Sequence, residues 1–166
     1  MINQIIRASI AAISLTSFTY TASAADLPFD DFAFDILNKA SANKDHLVIQ
    51  QSASRCVAAI QSSIAHEIIK EDNVPKPEDA IRGLLMASVI AVPKDQIEDR
   101  MGTQEKMLQV FETSLENAEP YFEIYSTWLE SNPQSRGIGQ DSTYKIELKK
   151  CMDYGIYFRS VFKTDN

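Results

Sequence analysis

The chain has 166 residues, with 16 basic and 23 acidic side chains and a formal net charge of −7. This length fits one domain with its own hydrophobic core. The acidic balance disfavours nucleic acid and anionic membrane as partners and favours a basic partner, although solubility alone is the simpler explanation of such a surface.

Residues 1–24 have the organisation of a secretory signal peptide. Arg7 gives a weakly positive start, residues 8–18 are apolar and uncharged, and Ala22-Ser23-Ala24 is a small-residue cleavage site. The apolar stretch is shorter than the about 20 residues that span a bilayer. An uncleaved N-terminal anchor is the alternative interpretation. We predict a signal peptide over 1–24 and one helical domain over 25–166, located in the periplasm and not attached to the membrane after cleavage.

Export would place the two cysteines, Cys56 and Cys151, in an oxidising compartment. Two cysteines with none left over predict a single disulfide in an oxidising compartment, whereas in a reducing cytosol they would be two buried thiols. Removal of residues 1–24 takes away Arg7 and leaves 15 basic and 23 acidic side chains, a net charge of −8 on 142 residues (166 − 24).

Glycine and proline are sparse, and apolar residues recur every three or four positions. The sequence therefore predicts an all-α, single-domain bundle of about five to six helices with one interhelix disulfide. In chain order, helices are predicted from Pro28 past Leu37, from an N-cap at Asp45 to near Glu71, from Pro77 to Pro93, from Lys94 to Asn117 with a break at Gly102-Thr103, from Pro120 to Ser131, and from a cap at Asp141 to near Lys163.

Both cysteines fall on apolar stripes that are predicted to face the core. The stripe of the second helix contains Ile49, Cys56, Ile60, Ile64 and Ile68, and that of the last helix contains Tyr144, Leu148, Cys151, Gly155, Phe158 and Phe162. A disulfide would then tie these two helices together across the core.

No constellation of catalytic or metal-binding residues is evident. His66-Glu67 begins like the zinc motif H-E-x-x-H, but Lys70 occupies the position of the second ligand, and His46 is 20 residues away. We interpret His66 as a surface or core-edge histidine. No serine lies in a nucleophile motif, and a paired thiol is no nucleophile. We predict that the protein is not an enzyme and needs neither cofactor nor metal.

Two features are candidates for binding. Tyr121, Tyr125 and Trp128 form a helical stripe whose spacing favours the core over an interface. The segment 132–141 is the clearest loop, and it is either a binding loop between rigid helices or a plain connector, with equal weight. Its candidate partner-binding residues are Asn132, Gln134, Ser135, Arg136 and Gly137.

Short stretches of the chain resemble the immunity proteins that neutralise type VI secretion amidase toxins. The matching stretches are Ser54-Arg55-Cys56-Val57-Ala58, Tyr121 to Leu129, and Lys150-Cys151-Met152-Asp153-Tyr154. The segment from Trp128 to Arg136 is similar to one in another group of such proteins. The resemblance covers about half of the predicted mature chain, and residues 72–109 have no counterpart in it.

The resemblance implies a small periplasmic inhibitor that occludes the groove of a cell-wall peptidoglycan amidase with a loop. On that basis Ser135 would bond a catalytic histidine, Arg136 would pair with a carboxylate in the groove, and Gly137 would permit close approach. The family plan also allows a homodimer through an exposed helix face. The alternative interpretation is a periplasmic helical interaction or chaperone-like protein with no enzymatic activity.

Overall fold

A computed structural model of the protein describes residues 28–69, 77–90, 104–136 and 143–163. The elements in these ranges are α1 (Ala33–Asn43), α2 (His46–Ala65), α3 (Pro77–Ile90), α4 (Gln104–Ser131), a 3-10 helix (Pro133–Arg136) and α5 (Thr143–Lys163). The predicted all-α bundle with five to six helices is confirmed. The predicted signal peptide, the predicted break at Gly102-Thr103 and the predicted cap at Asp141 lie outside the described residues.

Helix α2 is the central element, because α1, α3, α4 and α5 all pack against it. It is buried on every side from Ser52 to Ser63, apart from Gln61. Small side chains make this possible, since alanine, serine and cysteine let neighbouring helices come close. Its polar serines are satisfied by other helices: Ser54 Oγ donates to the Ser114 carbonyl (3.1 Å) and Ser62 Oγ to the Phe122 carbonyl (3.3 Å).

The structure corrects the ends of the first two helices. Residues 28–31 form bends, and α1 begins at Ala33 rather than at Pro28. The predicted N-cap of α2 is confirmed, because the Asp45 carboxylate accepts from the Val48 N–H at 3.2 Å. The helix ends at Ala65 rather than near Glu71, and Glu67 takes a left-handed φ of 55° beyond it. Ile64 is 39 % exposed, so it does not belong to the buried stripe.

Pro120 does not open a new helix, as the sequence predicted, but lies inside the continuous helix α4. A proline inside a helix typically costs about 3 kcal/mol. The burial of Ala118 and Tyr125 on either side of it, and the serine bonds from α2, hold the helix together across this point. From Gln104 onward, the fourth and fifth predicted helices are therefore one.

Helices α3 and α5 cross at a point where only small residues fit. A Cβ atom added to Gly83 would lie 1.8 Å from the Gly155 carbonyl oxygen, and one added to Gly155 would lie 2.2 Å from that of Ala80. The two backbones thus touch directly, which explains why glycine lies on the inner stripe of the last helix.

The Cys56–Cys151 disulfide joins α2 to α5, as predicted, with Cα atoms 5.2 Å apart and a sequence separation of 95. Both half-cystines are completely buried. Among the helices described, none has the length and apolarity needed to cross a membrane.

Candidate functional site

The turn between α4 and α5 is anchored by its own polar residues. The Asn132 side chain donates from Nδ2 to the Trp128 carbonyl (2.9 Å), and the Ser135 N–H donates to the Asn132 carbonyl (2.9 Å). Asn132 and Ser135 are only 3 % and 6 % exposed, whereas Pro133 is exposed. The segment 132–136 is therefore a compact structure with a buried polar base rather than an extended loop.

An aromatic pair clamps the two helices on either side of this turn. Trp128, near the end of α4, stacks on Tyr144, at the start of α5, with ring centroids 5.8 Å apart. The Tyr144 hydroxyl lies 2.7 Å from both the Ala59 carbonyl and the Ser63 hydroxyl. These bonds fix the clamp on the central helix α2.

A buried ion pair lies in the interior close to this aromatic pair. Arg55 Nη2 on α2 lies 3.0 Å from Glu147 Oε1 on α5, and the two side chains are 7 % and 0 % exposed. Tyr125 from α4 receives a bond from Arg55 Nε (3.0 Å) and donates its hydroxyl proton to Glu147 Oε1 (2.5 Å). The Tyr125 ring meets that of Tyr144 edge to face at 5.6 Å. Packing thus connects the ion pair to the clamp.

The same ion pair holds the segment that precedes α1. Both carboxylate oxygens of Glu147 accept from the Ala33 N–H, at 3.2 and 3.0 Å, which places a negative charge at the N-terminus of α1. Arg55 donates to the Asp31 carbonyl (2.5 Å), and its guanidinium carbon lies 3.9 Å from the Phe29 ring centroid. We call Arg55, Tyr125 and Glu147 the polar core.

Burial sets the protonation of the two core tyrosines. The pKa of Tyr125 is raised far above its ordinary value, first by burial and then by the Glu147 carboxylate, while Arg55 opposes the rise. Burial likewise raises the pKa of Tyr144, against a lowering by its bond with Ser63. Both hydroxyls therefore remain neutral hydrogen-bond donors at neutral pH. Glu147 is wholly buried and both of its carboxylate oxygens accept hydrogen bonds, so the polar core joins α2, α4 and α5 in the interior.

The candidate partner-binding residues fall into three groups. Asn132 and Ser135 lie in the buried base of the turn, so neither is available for direct contact in this conformation. Gln134 and Arg136 belong to the 3-10 helix. Gly137 lies outside the described residues. Contact between this segment and a partner stays a prediction.

The aromatic stripe divides between core and surface. Tyr125 and Trp128 are buried in the core, as the spacing favoured, while Tyr121 is half-buried at its edge. Phe29 contributes to this packing, with its ring centroid 5.2 Å from that of Tyr125 and 5.9 Å from that of Tyr121.

The two histidines do not form a metal site with neighbouring residues. His46 is the first residue of α2 and His66 follows its last, so the full helix separates them. Within the described part of the chain, no three side chains of His, Cys, Asp or Glu come together in a way that could hold a metal ion.

Sequence reasoning missed Glu147, yet the sequence carries a signal for it. Glu147 follows Tyr144 by three positions and precedes Cys151 by four, so it lies on the predicted inner stripe of the last helix. A carboxylate on an inner stripe requires a buried cation. This cation is Arg55, which lies next to Cys56 on α2, the helix that the disulfide joins to α5.

Comparison with protein-family models, with characterised proteins and with solved structures gives no match to this chain.

Proposed function

We propose that this protein is a periplasmic immunity protein that binds a cell-wall peptidoglycan amidase and inhibits it by occluding its active-site groove. The observation that carries the proposal is where the resembling stretches lie. The stretch around Ser54-Arg55-Cys56 on α2 and the stretch around Cys151 on α5 are joined by the disulfide. Arg55 also pairs with Glu147, which lies on α5 like Cys151. Two of the resembling stretches thus lie where α2 and α5 are joined.

This architecture suits an inhibitor because it presents one turn on a rigid base. The Trp128–Tyr144 clamp joins the two helices on either side of the turn at 132–136. The polar core ties both of these helices to α2, and the disulfide ties α5 to α2. A binding segment whose supports are fixed loses little conformational entropy on association. In this proposal Asn132 and Ser135 hold the turn in shape, while Arg136 and Gly137 make the contact with the amidase.

The charge of the protein is consistent with a partner that has a basic rim. Helix α4 contains six glutamates and one lysine, a net charge of −5 (1 − 6) within a chain of −7. Such a concentration of one sign accelerates encounter with a surface of the opposite sign.

A second candidate function is a helical interaction protein with no toxin partner. This second function is favoured by apolar side chains that are exposed to solvent, above all Leu47 (64 % exposed) and Tyr157 (61 % exposed). The identity of the neighbouring gene distinguishes the two candidate functions, because an immunity gene lies beside a gene for a secreted amidase with a Cys-His pair.

The test is to send the product of the neighbouring gene to the periplasm of a host cell, with and without this protein. The proposal expects lysis without the protein and growth with it, and lysis in both cases would refute inhibition. Arg136→Glu is expected to abolish protection at unchanged helicity. Arg82→Glu, the same charge reversal at an exposed position on α3, is the matched control and should protect fully.

A further inference from the structure

A second surface of the molecule is concave. An open groove of about 410 Å³ runs between the first turns of α2 and the middle of α4. Its walls are Leu47, Gln50, Gln51, Glu116, Asn117, Pro120 and Tyr121. This volume falls within the about 300–1,000 Å³ that is typical of ligand pockets. The groove belongs neither to the polar core nor to the turn at 132–136.

Pro120 removes one helical donor beside the groove. In a regular helix the carbonyl of Glu116 accepts from the N–H four residues later, but that residue is Pro120, which has no N–H. Carbonyls left without this donor are satisfied by side chains, by water, by an i→i+3 bond or by a ligand. Glu116 and Pro120 both line the groove.

The groove has one acceptor-only side chain, Glu116, together with amide side chains and an aromatic ring. Glu116 is exposed and takes part in none of the ion pairs found among the described residues. Gln50 uses its Nε2 on the Ser88 carbonyl (3.4 Å), which leaves its amide oxygen as an acceptor. Tyr121 is half-buried and offers a ring at the groove wall.

The occupant that fits this chemistry is an arginine side chain. A guanidinium has five donors and no acceptor, it pairs with a carboxylate, and its plane stacks on an aromatic ring. Its aliphatic stem would lie along Leu47, an exposed apolar side chain at the groove. The net charge of −5 on α4 (1 − 6) further favours a cation here over an anion.

We infer that the α2–α4 groove is a docking site for an arginine-bearing loop of a protein partner. The proposed function would make that partner the amidase, but the groove chemistry stands without it. Engagement at this groove and at the turn 132–136 would give the complex two separate contacts.

The test uses a probe that is independent of any amidase. The isotope-labelled mature chain is titrated with the capped peptide Gly-Gly-Arg-Gly-Gly and, as a matched control, with the same peptide carrying citrulline, the uncharged isostere of arginine. We expect saturable amide shifts at Gln50, Gln51, Asn117 and Tyr121 with arginine, with a Kd on the order of 1 mM, and at least fivefold weaker binding with citrulline. Equal shifts with both peptides, shifts elsewhere only, or none up to about 20 mM would overturn the inference.

Two exposed positions test the groove by substitution. Asn117→Trp fills the groove, and Glu116→Gln removes its negative charge. Both positions are exposed. We expect the first to abolish the arginine shifts and the second to weaken binding at least threefold. Glu130→Gln makes the same change on α4 away from the groove and should bind like the parent. Parental binding by Asn117→Trp would refute the site, whereas a failed lysis assay would refute only the amidase as partner.

Discussion

Arg55 and Glu147 form a salt bridge at 3.0 Å in the interior of the bundle, 92 residues apart in the chain, and each also binds the backbone of the segment leading into α1. Arg55 reaches the Asp31 carbonyl, and Glu147 reaches the Ala33 N–H. One charge pair therefore organises three helices and the segment before the first of them. Because it is buried, its value to the fold lies in specifying this arrangement rather than in adding net attraction.

Removing the charge of one partner of this salt bridge should lower the free energy of unfolding. Glu147→Gln keeps an acceptor for Tyr125 and Ala33 but leaves the Arg55 charge buried without a counter-ion. We expect the free energy of unfolding to fall by about 3–5 kcal/mol in urea denaturation of a chain of residues 25–166. The double variant Arg55→Met with Glu147→Leu should lose clearly less than the sum of its single variants, because it removes both charges.

The surface pair Lys149–Asp153 is the matched control for this prediction. Its side chains are 77 % and 62 % exposed, although its atoms are only 2.6 Å apart. Asp153→Asn should change the unfolding free energy by less than about 1 kcal/mol. A loss at Glu147 as small as that at Asp153 would mean that Arg55 is solvated or finds another partner.

The disulfide should contribute to stability rather than to redox chemistry. The variant with Cys56→Ala and Cys151→Ala should retain its helical circular dichroism in the absence of denaturant. Its unfolding free energy should fall by up to about 4–5 kcal/mol, since the bond closes a long loop in the unfolded chain. Thiol titration of the folded parent should detect no free thiol, because both cysteines of the chain are in the disulfide. Rapid reduction of the native protein by glutathione would contradict this prediction.

The α3–α5 crossing should be intolerant of a single methyl group. Gly155→Ala would place its Cβ against the Ala80 carbonyl, and backbone cannot move aside cheaply there. We expect a loss of about 1–3 kcal/mol or more in the unfolding free energy, despite the higher helix propensity of alanine. Ser160→Ala, at an exposed position of the same helix, should change it by no more than about 0.5 kcal/mol. Stabilisation by Gly155→Ala would show that the helices separate at this point.

Stability should fall in alkali because of Tyr125 and Tyr144. Their pKa values are raised in the folded chain, whereas a tyrosine in the unfolded chain titrates near its ordinary pKa of about 10. The folded state therefore keeps protons that the unfolded state releases, so this contribution is complete below pH about 10 and is lost as the pH rises above it. Tyrosinate absorbance from these two residues should appear together with the loss of helical circular dichroism. Their ionisation in a still-helical protein would contradict the prediction.

The sequence was sufficient for features that depend on local periodicity and on single residues. The Asp45 cap, the start of α3 at Pro77 and the burial of both cysteines follow from helix-capping chemistry and from the three-four spacing. The inner position of Gly155 could be read from the same spacing, although its reason, direct contact with Ala80, could not.

Features that depend on tertiary packing could not be read in this way. Pro120 is a helix breaker by local rules, and only the contacts of α2 with both halves of α4 keep the helix continuous. Asn132 and Ser135 are polar residues in a polar segment, the usual composition of an exposed loop, yet they are buried as the base of a turn. The polar core required knowing that Arg55 and Glu147 meet, which no local pattern states.

The proposed inhibition of an amidase by occupation of its groove is tested most directly by titrating the purified product of the neighbouring gene with residues 25–166 of this protein while following the hydrolysis of peptidoglycan fragments. We expect a linear fall in activity to zero at one inhibitor chain per enzyme, and a markedly weaker effect for Arg136→Glu than for the control Arg82→Glu. Full hydrolase activity in the presence of an excess of this protein would contradict the proposal.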